Sequence, residues 1–305
     1  MPQKLKSLLK LIWWLLVLTF VSLFLYKNLN TTLEIVSKLP VMIISAAFIA
    51  LLVAKTLLVQ MMHLALNRYQ INFGYLRCFI IYNITQLGKY IPGSIWQFVG
   101  RIGFYREAGV ANNKIRDTLL LETFWVVSSA LIIGICLIML EQHQLLFQLV
   151  SRIPESIIQP AVLLPFAGLI LIITLVYKNS LFSYLKQFMF TPKTILVASL
   201  IWISLGYSFW VTLLPYTDQE LSFIYIVGLY ALSYALGFAV PFAPAGIGIR
   251  EAVLVTGLLS YLDSNISIVL ATINRLLYIV SEIILAVISN FISSKQSHLK
   301  NTEAE

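Results

Sequence analysis

Apolar residues run along this chain in long blocks rather than in alternation. Stretches of roughly 20 mostly apolar residues cover 8 to 26, 41 to 63, 118 to 140, 158 to 177, 194 to 214 and 266 to 292, each long enough for a helix that crosses a bilayer. Six full spans are therefore predicted. Two further apolar regions, 72 to 100 and 221 to 250, are too long for loops, yet glycine and proline interrupt both near their middles. Gly88, Pro92 and Gly93 fall in the first, and Gly237, Pro241, Pro244, Gly246 and Gly248 in the second. Proline removes a backbone donor and clashes with the preceding turn, while glycine lets the chain reverse. Each region is thus expected to be a re-entrant hairpin that enters, breaks and returns on one side. A pair of kinked spanning helices is the alternative.

These interrupted regions repeat. LGKYIPGSIWQFVGR at 87 to 101 returns as LGFAVPFAPAGIGIR at 236 to 250, with Leu87, Gly88, Pro92 and Arg101 recurring as Leu236, Gly237, Pro241 and Arg250 at one constant spacing, the 149 residues from Arg101 to Arg250. The same displacement carries the three full spans of the first half onto segments found independently in the second. Each half reads helix, helix, hairpin, helix, with residues 1–148 as the first copy, 149–292 as the second and 293–305 as a tail, all within one transmembrane domain, 1–305. Three full spans per half are an odd number, so the second copy is expected upside down relative to the first.

Composition agrees with an all-α integral membrane protein. With 59% hydrophobic and 11% charged residues and a mean hydropathy of +0.88, the chain has more apolar surface than one water-soluble core can hide. Lys4, Lys6 and Lys10 precede the first apolar run, but no small-x-small cleavage pattern follows it, which predicts an uncleaved first helix. Segments 1–10, 64–77, 101–117, 178–193 and 293–305 hold fourteen Lys and Arg, against four in segments 27–40, 141–157, 215–220 and 241–265. Basic residues accumulate on the cytoplasmic side, so both termini are expected to be cytoplasmic. The net charge of +8 then reflects topology and attraction to anionic headgroups, and no nucleic-acid partner is needed. The two hairpins would open to opposite faces with their tips approaching near the midplane, the arrangement in which one site is exposed alternately to either side. The N-terminus of each returning arm, with free N–H groups, favours an anion such as phosphate.

Charges left within the apolar segments are the remaining candidates, because a charge at the bilayer centre costs about 2.5–3.5 kcal/mol on insertion scales. Lys55, Lys89, Glu122, Arg275 and Glu282 qualify. Asn274 and Tyr278 flank the stripe formed by Arg275 and Glu282, which lie two turns apart on one helix face. One reading has Lys89 and Arg275 contacting a phosphate in a central cavity while Glu122 and Glu282 balance charge or respond to protons. The other has Arg275 and Glu282 pairing with buried groups to hold helices together. Lys55 either snorkels or pairs with Glu122. Arg101, Arg250 and Glu251 are expected at the hairpin mouths, where an arginine fork suits phosphate oxygens; there, too, capping of carbonyls or pairing with Glu251 is the alternative. Substrate-binding candidates are thus Lys89, Arg101, Glu122, Arg250, Glu251, Asn274, Arg275 and Glu282.

PGSIWQFVGR at 92 to 101 and PFAPAGIGIRE at 241 to 251 resemble the two motifs of the lysylphosphatidylglycerol synthase transmembrane region, the flippase-like domain of the multiple peptide resistance factor and of stand-alone relatives. The resemblance extends over nearly the whole chain. It implies a lipid translocation module of the bacterial cytoplasmic membrane that moves an anionic or modified phospholipid, or a polyprenyl-linked lipid, between leaflets, with a lipid-modifying enzyme as a possible partner. Two departures bear on the headgroup. Family members usually carry Pro-Gly-Gly where this chain has Pro244, Ala245 and Gly246, and commonly an acidic residue near Gln97. The soluble aminoacyl transferase domain of some members is missing, so the expectation is of a chain that does not make aminoacylated lipid.

Other chemistry has little support. Cys78 and Cys136 lie in apolar segments without metal-like spacing, His63, His143 and His298 are scattered, and no Walker-type glycine loop is present. The expectation is a transporter without metal, cofactor or its own ATPase. Two other classes stay open. A secondary transporter of a small soluble solute would use the same inverted-repeat physics and show a compact polar cluster. A glycosyltransferase-type membrane enzyme on lipid-linked sugars would need paired acidic residues outside, where loop 27–40 offers only Glu34 and loop 215–220 only Asp218 and Glu220.

Overall fold

A computed structural model describes residues 29–91, 95–151, 188–217, 221–240 and 243–302. Among these the structure is entirely helical. Helices α1 (Leu29–Lys38), α2 (Val41–Arg68), α3 (Tyr75–Gln86), α4 (Trp96–Glu107) and α5 (Asn112–Ser151) are followed by α6 (Pro192–Leu213), α7 (Phe223–Ala239), α8 (Ile249–Leu258) and α9 (Ser264–Thr302). Short 3-10 turns at Leu87–Tyr90, Leu214–Tyr216 and Pro244–Gly246 complete the set. The order long, short, short, long thus occurs twice, in α2 to α5 and in α6 to α9.

Among the described residues, four helices are long and apolar enough to cross a membrane: Val41–Arg68, Asn112–Glu141, Pro192–Tyr216 and Ser264–Lys295. They coincide with the expected spans 41–63, 118–140, 194–214 and 266–292. The expected spans 8–26 and 158–177 lie outside the described residues, as do Pro92, Gly93 and Pro241. The 28 residues of α2 rise about 42 Å, more than a bilayer core, whereas the 12 of α3 rise about 18 Å and fall short. Large apolar side chains stand exposed along the long helices, among them Ile49, Ile132, Leu196, Val287 and Phe291, the reverse of what water selects.

Local chemistry sets the helix ends. Pro192 begins α6 behind a Thr191–Thr194 capping box, and the Ser222 hydroxyl accepts the Tyr225 N–H at the start of α7. The segment at 27–40, expected to be a loop, contains the helix α1, closed by an exposed Lys38–Glu34 pair one turn apart.

Small residues bring the helices together. α2 packs along α6, α7 lies between α5 and α6, and α3 lies along α9. A Cβ on Gly206 would sit 2.6 Å from Val227 Cα, one on Gly134 2.7 Å from Leu232 N, and one on Gly228 2.9 Å from Leu137 Cβ. Backbones approach this closely only where side chains are absent.

Each interrupted region is two short helices whose arms fold back on one another. A Cβ on Gly88 would lie 2.7 Å from Gln97 N, and one on Gly100 2.9 Å from Thr85 Cγ2, so α3 and α4 touch across the first break. In the second, Gly246 stands 3.0 Å from Gly237 Cα by the same measure. The turns Leu87–Tyr90 and Pro244–Gly246 pack against each other, so the two breaks meet.

The returning arms reach further than expected. Residues after Arg101 and Arg250 were expected in loops, but α4 runs to Glu107 and α8 to Leu258, and both arginines are buried rather than placed at hairpin mouths. Hydropathy reads arginine as a helix terminator, and it has no access to the partners that let these helices continue. One basic residue leaves each side of the topology comparison, and the asymmetry survives.

Candidate functional site

Where the breaks meet the long helices, two buried polar clusters and a half-buried third form. In the first, Glu282 of α9 receives the ammonium groups of Lys55, from α2, and Lys89, from the first break, on a single oxygen; Lys89 Nζ lies at 2.6 Å. The Tyr90 hydroxyl donates to the other oxygen at 2.8 Å. Two cations thus share one carboxylate, and the excess charge meets an aromatic face. Lys55 Nζ sits 3.1 Å from the centroid of Tyr278, one turn before Glu282, and Lys89 Nζ lies 4.8 Å from the same ring. Stacked cations of this kind are stabilised by the ring quadrupole, more strongly when desolvated.

The second cluster is self-contained. Arg101 Nη1 donates to both oxygens of Glu122, at 2.6 and 2.7 Å, Nη2 donates to Gln86 Oε1 at 3.0 Å, and Nε reaches Thr85 Oγ1 at 3.4 Å. The guanidinium also lies over Tyr82, 4.5 Å from its centroid. All three nitrogens are satisfied, as a buried arginine requires.

A third cluster fixes the second break. Arg275 Nη2 donates to the Ala245 carbonyl at 2.7 Å, and its Nε lies 3.5 Å from Glu251 Oε1, an ion pair without a hydrogen bond. Glu251 Oε2 accepts the Gly248 N–H at 2.6 Å. At the N-terminus of α8, expected to offer free N–H groups to an anion, the chain's own carboxylate takes one, that of Gly248. Ala245 adopts φ 52°, and Gly246 and Gly248 adopt φ 70° and 85°. The break therefore uses the left-handed region three times, once with a residue that has a Cβ.

Between the breaks lies a cavity of about 290 Å³. Its polar lining is Gln86, Lys89, Gln97, Tyr234, Arg250 and Tyr278, and its apolar lining includes Ile95, Phe98, Phe238 and Val240. A smaller pocket of about 40 Å³ adjoins it, lined in part by Arg101 and Glu122. Arg250 is 5% exposed, and its guanidinium carbon lies 4.9 Å from the Tyr234 ring and 5.3 Å from those of Tyr230 and Tyr278. Gly237 makes room for it: a Cβ there would fall 2.5 Å from Arg250 Cγ.

Of the residues singled out in the sequence, Lys89 and Arg250 line the larger cavity, and Arg101 and Glu122 the smaller. Glu251, Arg275 and Glu282 tie the breaks to α8 and α9. Asn274 faces α6, donating to Ser208 Oγ at 3.3 Å. The gap between Arg275 and Glu282 is bridged through Tyr278, whose ring lies 5.5 Å from the Arg275 guanidinium and whose hydroxyl is 3.5 Å from Lys89 Nζ. Lys55 pairs with Glu282 and not with Glu122, which Arg101 occupies. Sequence reasoning missed Tyr230 and Tyr234; their spacing of four on an otherwise apolar helix put two hydroxyls on one face and was the available signal.

No known protein family and no curated protein matches this chain. Among the described residues, the fold and site define a helical protein with four helices long and apolar enough to cross a membrane and a basic, tyrosine-lined cavity where two broken helix pairs meet.

Proposed function

We propose that the protein is a membrane lipid translocase, a flippase or scramblase that moves an anionic or modified phospholipid or a polyprenyl-linked lipid between leaflets. The observation that carries this reading is the cavity between the two breaks, lined both by the cations Lys89 and Arg250 and by large apolar side chains, as a headgroup with attached acyl chains requires. In this account the two halves are inverted copies, the interrupted regions are re-entrant hairpins entering from opposite faces, six full spans surround them and both termini are cytoplasmic. The swapped packing, in which α3 lies on α9 and α7 on α5, supports a two-fold relation between halves. The resemblance to the lysylphosphatidylglycerol synthase transmembrane region supports lipid as cargo and a bacterial cytoplasmic membrane as its place, with lipid modification left to a partner enzyme. No step requires ATP hydrolysis by this chain; lipid moves down its gradient or is driven by ions or the membrane potential.

Leaflet exchange of fluorescent phospholipids and polyprenyl-phosphate lipids in liposomes containing the purified protein tests the reading. Exchange faster than in protein-free liposomes, with a rate that depends on headgroup, is the expected result. A second reading, a secondary transporter of a small soluble anion, is favoured by the small size of the cavity, about 290 Å³. It replaces the first if no lipid exchanges, with or without a proton gradient, while the liposomes carry out counterflow of a soluble anion.

A further inference from the structure

Arg101 and Arg250 occupy the same place in two similar sequences and meet opposite environments. Every nitrogen of Arg101 has an oxygen partner. Among the described residues, Arg250 makes no close ion pair and no side-chain hydrogen bond; its guanidinium lies against the faces of Tyr230, Tyr234 and Tyr278, with Glu251 acting on it only at longer range. At the spacing that relates the two arginines, Thr85, Gln86 and Glu122 correspond to Tyr234, Ala235 and Ala271, so each partner of Arg101 has been replaced by a side chain that cannot serve as a carboxylate or amide acceptor. The neighbouring carboxylates are engaged elsewhere: Glu251 by Gly248 and Arg275, Glu282 by Lys55, Lys89 and Tyr90. Lys55, Lys89, Arg250 and Arg275 thus face two carboxylates. A buried guanidinium left without an oxygen is costly, yet this one lines the cavity, as does Lys89.

We propose that Arg250 is the anion receptor of the cavity and that its ligand is a phosphate monoester, two oxygens taken by the guanidinium fork and a third facing the Lys89 ammonium. A phosphate presents three such oxygens and one to two negative charges, matching both cations, whereas a carboxylate is satisfied by the fork alone. The rest of the ligand lies along Ile95, Phe98, Phe238 and Val240. The inference rests on the translocase reading only for the source of the phosphate, a lipid headgroup rather than a free ion.

Thermal unfolding of the full chain in an uncharged detergent tests it, with dihexanoyl phosphatidic acid, inorganic phosphate and dihexanoylglycerol as probes. Phosphatidic acid raises the wild-type midpoint by several degrees and dihexanoylglycerol does not. Free Arg250→Gln loses less stability than free Arg101→Gln, because only ring contacts are lost and no carboxylate is stranded, but it binds phosphatidic acid at least about tenfold more weakly. Arg250→Lys keeps the charge without the fork and responds at an intermediate level. Arg101→Gln, by contrast, strands Glu122 and lowers the midpoint of the free protein. Equal responses to inorganic phosphate and phosphatidic acid keep the Arg250 site and remove the lipid reading. The proposal is overturned if free Arg250→Gln is destabilised as Arg101→Gln is, if folded Arg250→Gln keeps the full response, or if dihexanoylglycerol shifts the midpoint as much as phosphatidic acid.

Discussion

Lys55 and Glu282 stand 227 positions apart in the chain and form an ion pair with side chains only 1% and 3% exposed. The pair joins α2 to α9, and with Lys89 it draws the first break onto both. Glu282 is thus the one negative charge on which three elements converge.

Removing that charge leaves two ammonium groups buried together. Glu282→Gln is predicted to lower stability by about 3–5 kcal/mol, as read from the unfolding midpoint in detergent. Lys55→Met alone costs less, because Lys89 and Tyr90 still satisfy Glu282, and the double variant Lys55→Met/Glu282→Gln recovers part of the Glu282→Gln loss. A double variant whose losses simply add would show that the two residues are energetically independent.

The close approach of α6 and α7 depends on Gly206. Gly206→Ala drives a methyl into the Val227 backbone, 2.6 Å away, and is predicted to cost about 1–3 kcal/mol. Gly103, in α4, has nothing within 4 Å of its Cβ position, so Gly103→Ala is expected to stabilise the protein by about 0.5–1 kcal/mol through helix propensity. Opposite signs from the same chemical change, measured in one unfolding assay, check the packing assignment.

Ala245 holds φ 52°, a conformation that costs a residue with a Cβ about 1–2 kcal/mol. Ala245→Gly is therefore predicted to raise stability by about 0.5–1 kcal/mol after the added freedom of the unfolded chain is subtracted. Its carbonyl still accepts Arg275, so binding to the cavity is expected to be unchanged. A loss of stability would mean that the turn is held in another way.

The long helices were legible because their apolar runs outlast any soluble-core helix, and the breaks because glycine and proline cluster in each, glycine weakening a helix and proline lacking the donor that one needs. The reach of the returning arms was not legible. Arg101 reads as a loop residue until Glu122, 21 positions on, is brought to it by folding. The engagement of Lys55 with Glu282 depends on contacts across more than two hundred residues, which no local pattern encodes. Arg250 was legible as a candidate, but its lack of a partner became visible only once Glu251 was found on Gly248 and Glu282 on the two lysines.

A cavity exposed to either face by turns requires that the two interrupted regions enter from opposite sides. Single cysteines placed in a background lacking Cys78 and Cys136, as Asn72→Cys and Asn113→Cys around the first region and Thr217→Cys and Asn265→Cys around the second, measure this directly through labelling by a membrane-impermeant maleimide. The account predicts that the first two react only from the cytoplasmic face and the second two only from the other. Members of either pair reacting from opposite faces would make that region a kinked span, and all four reacting from one face would contradict the inverted arrangement.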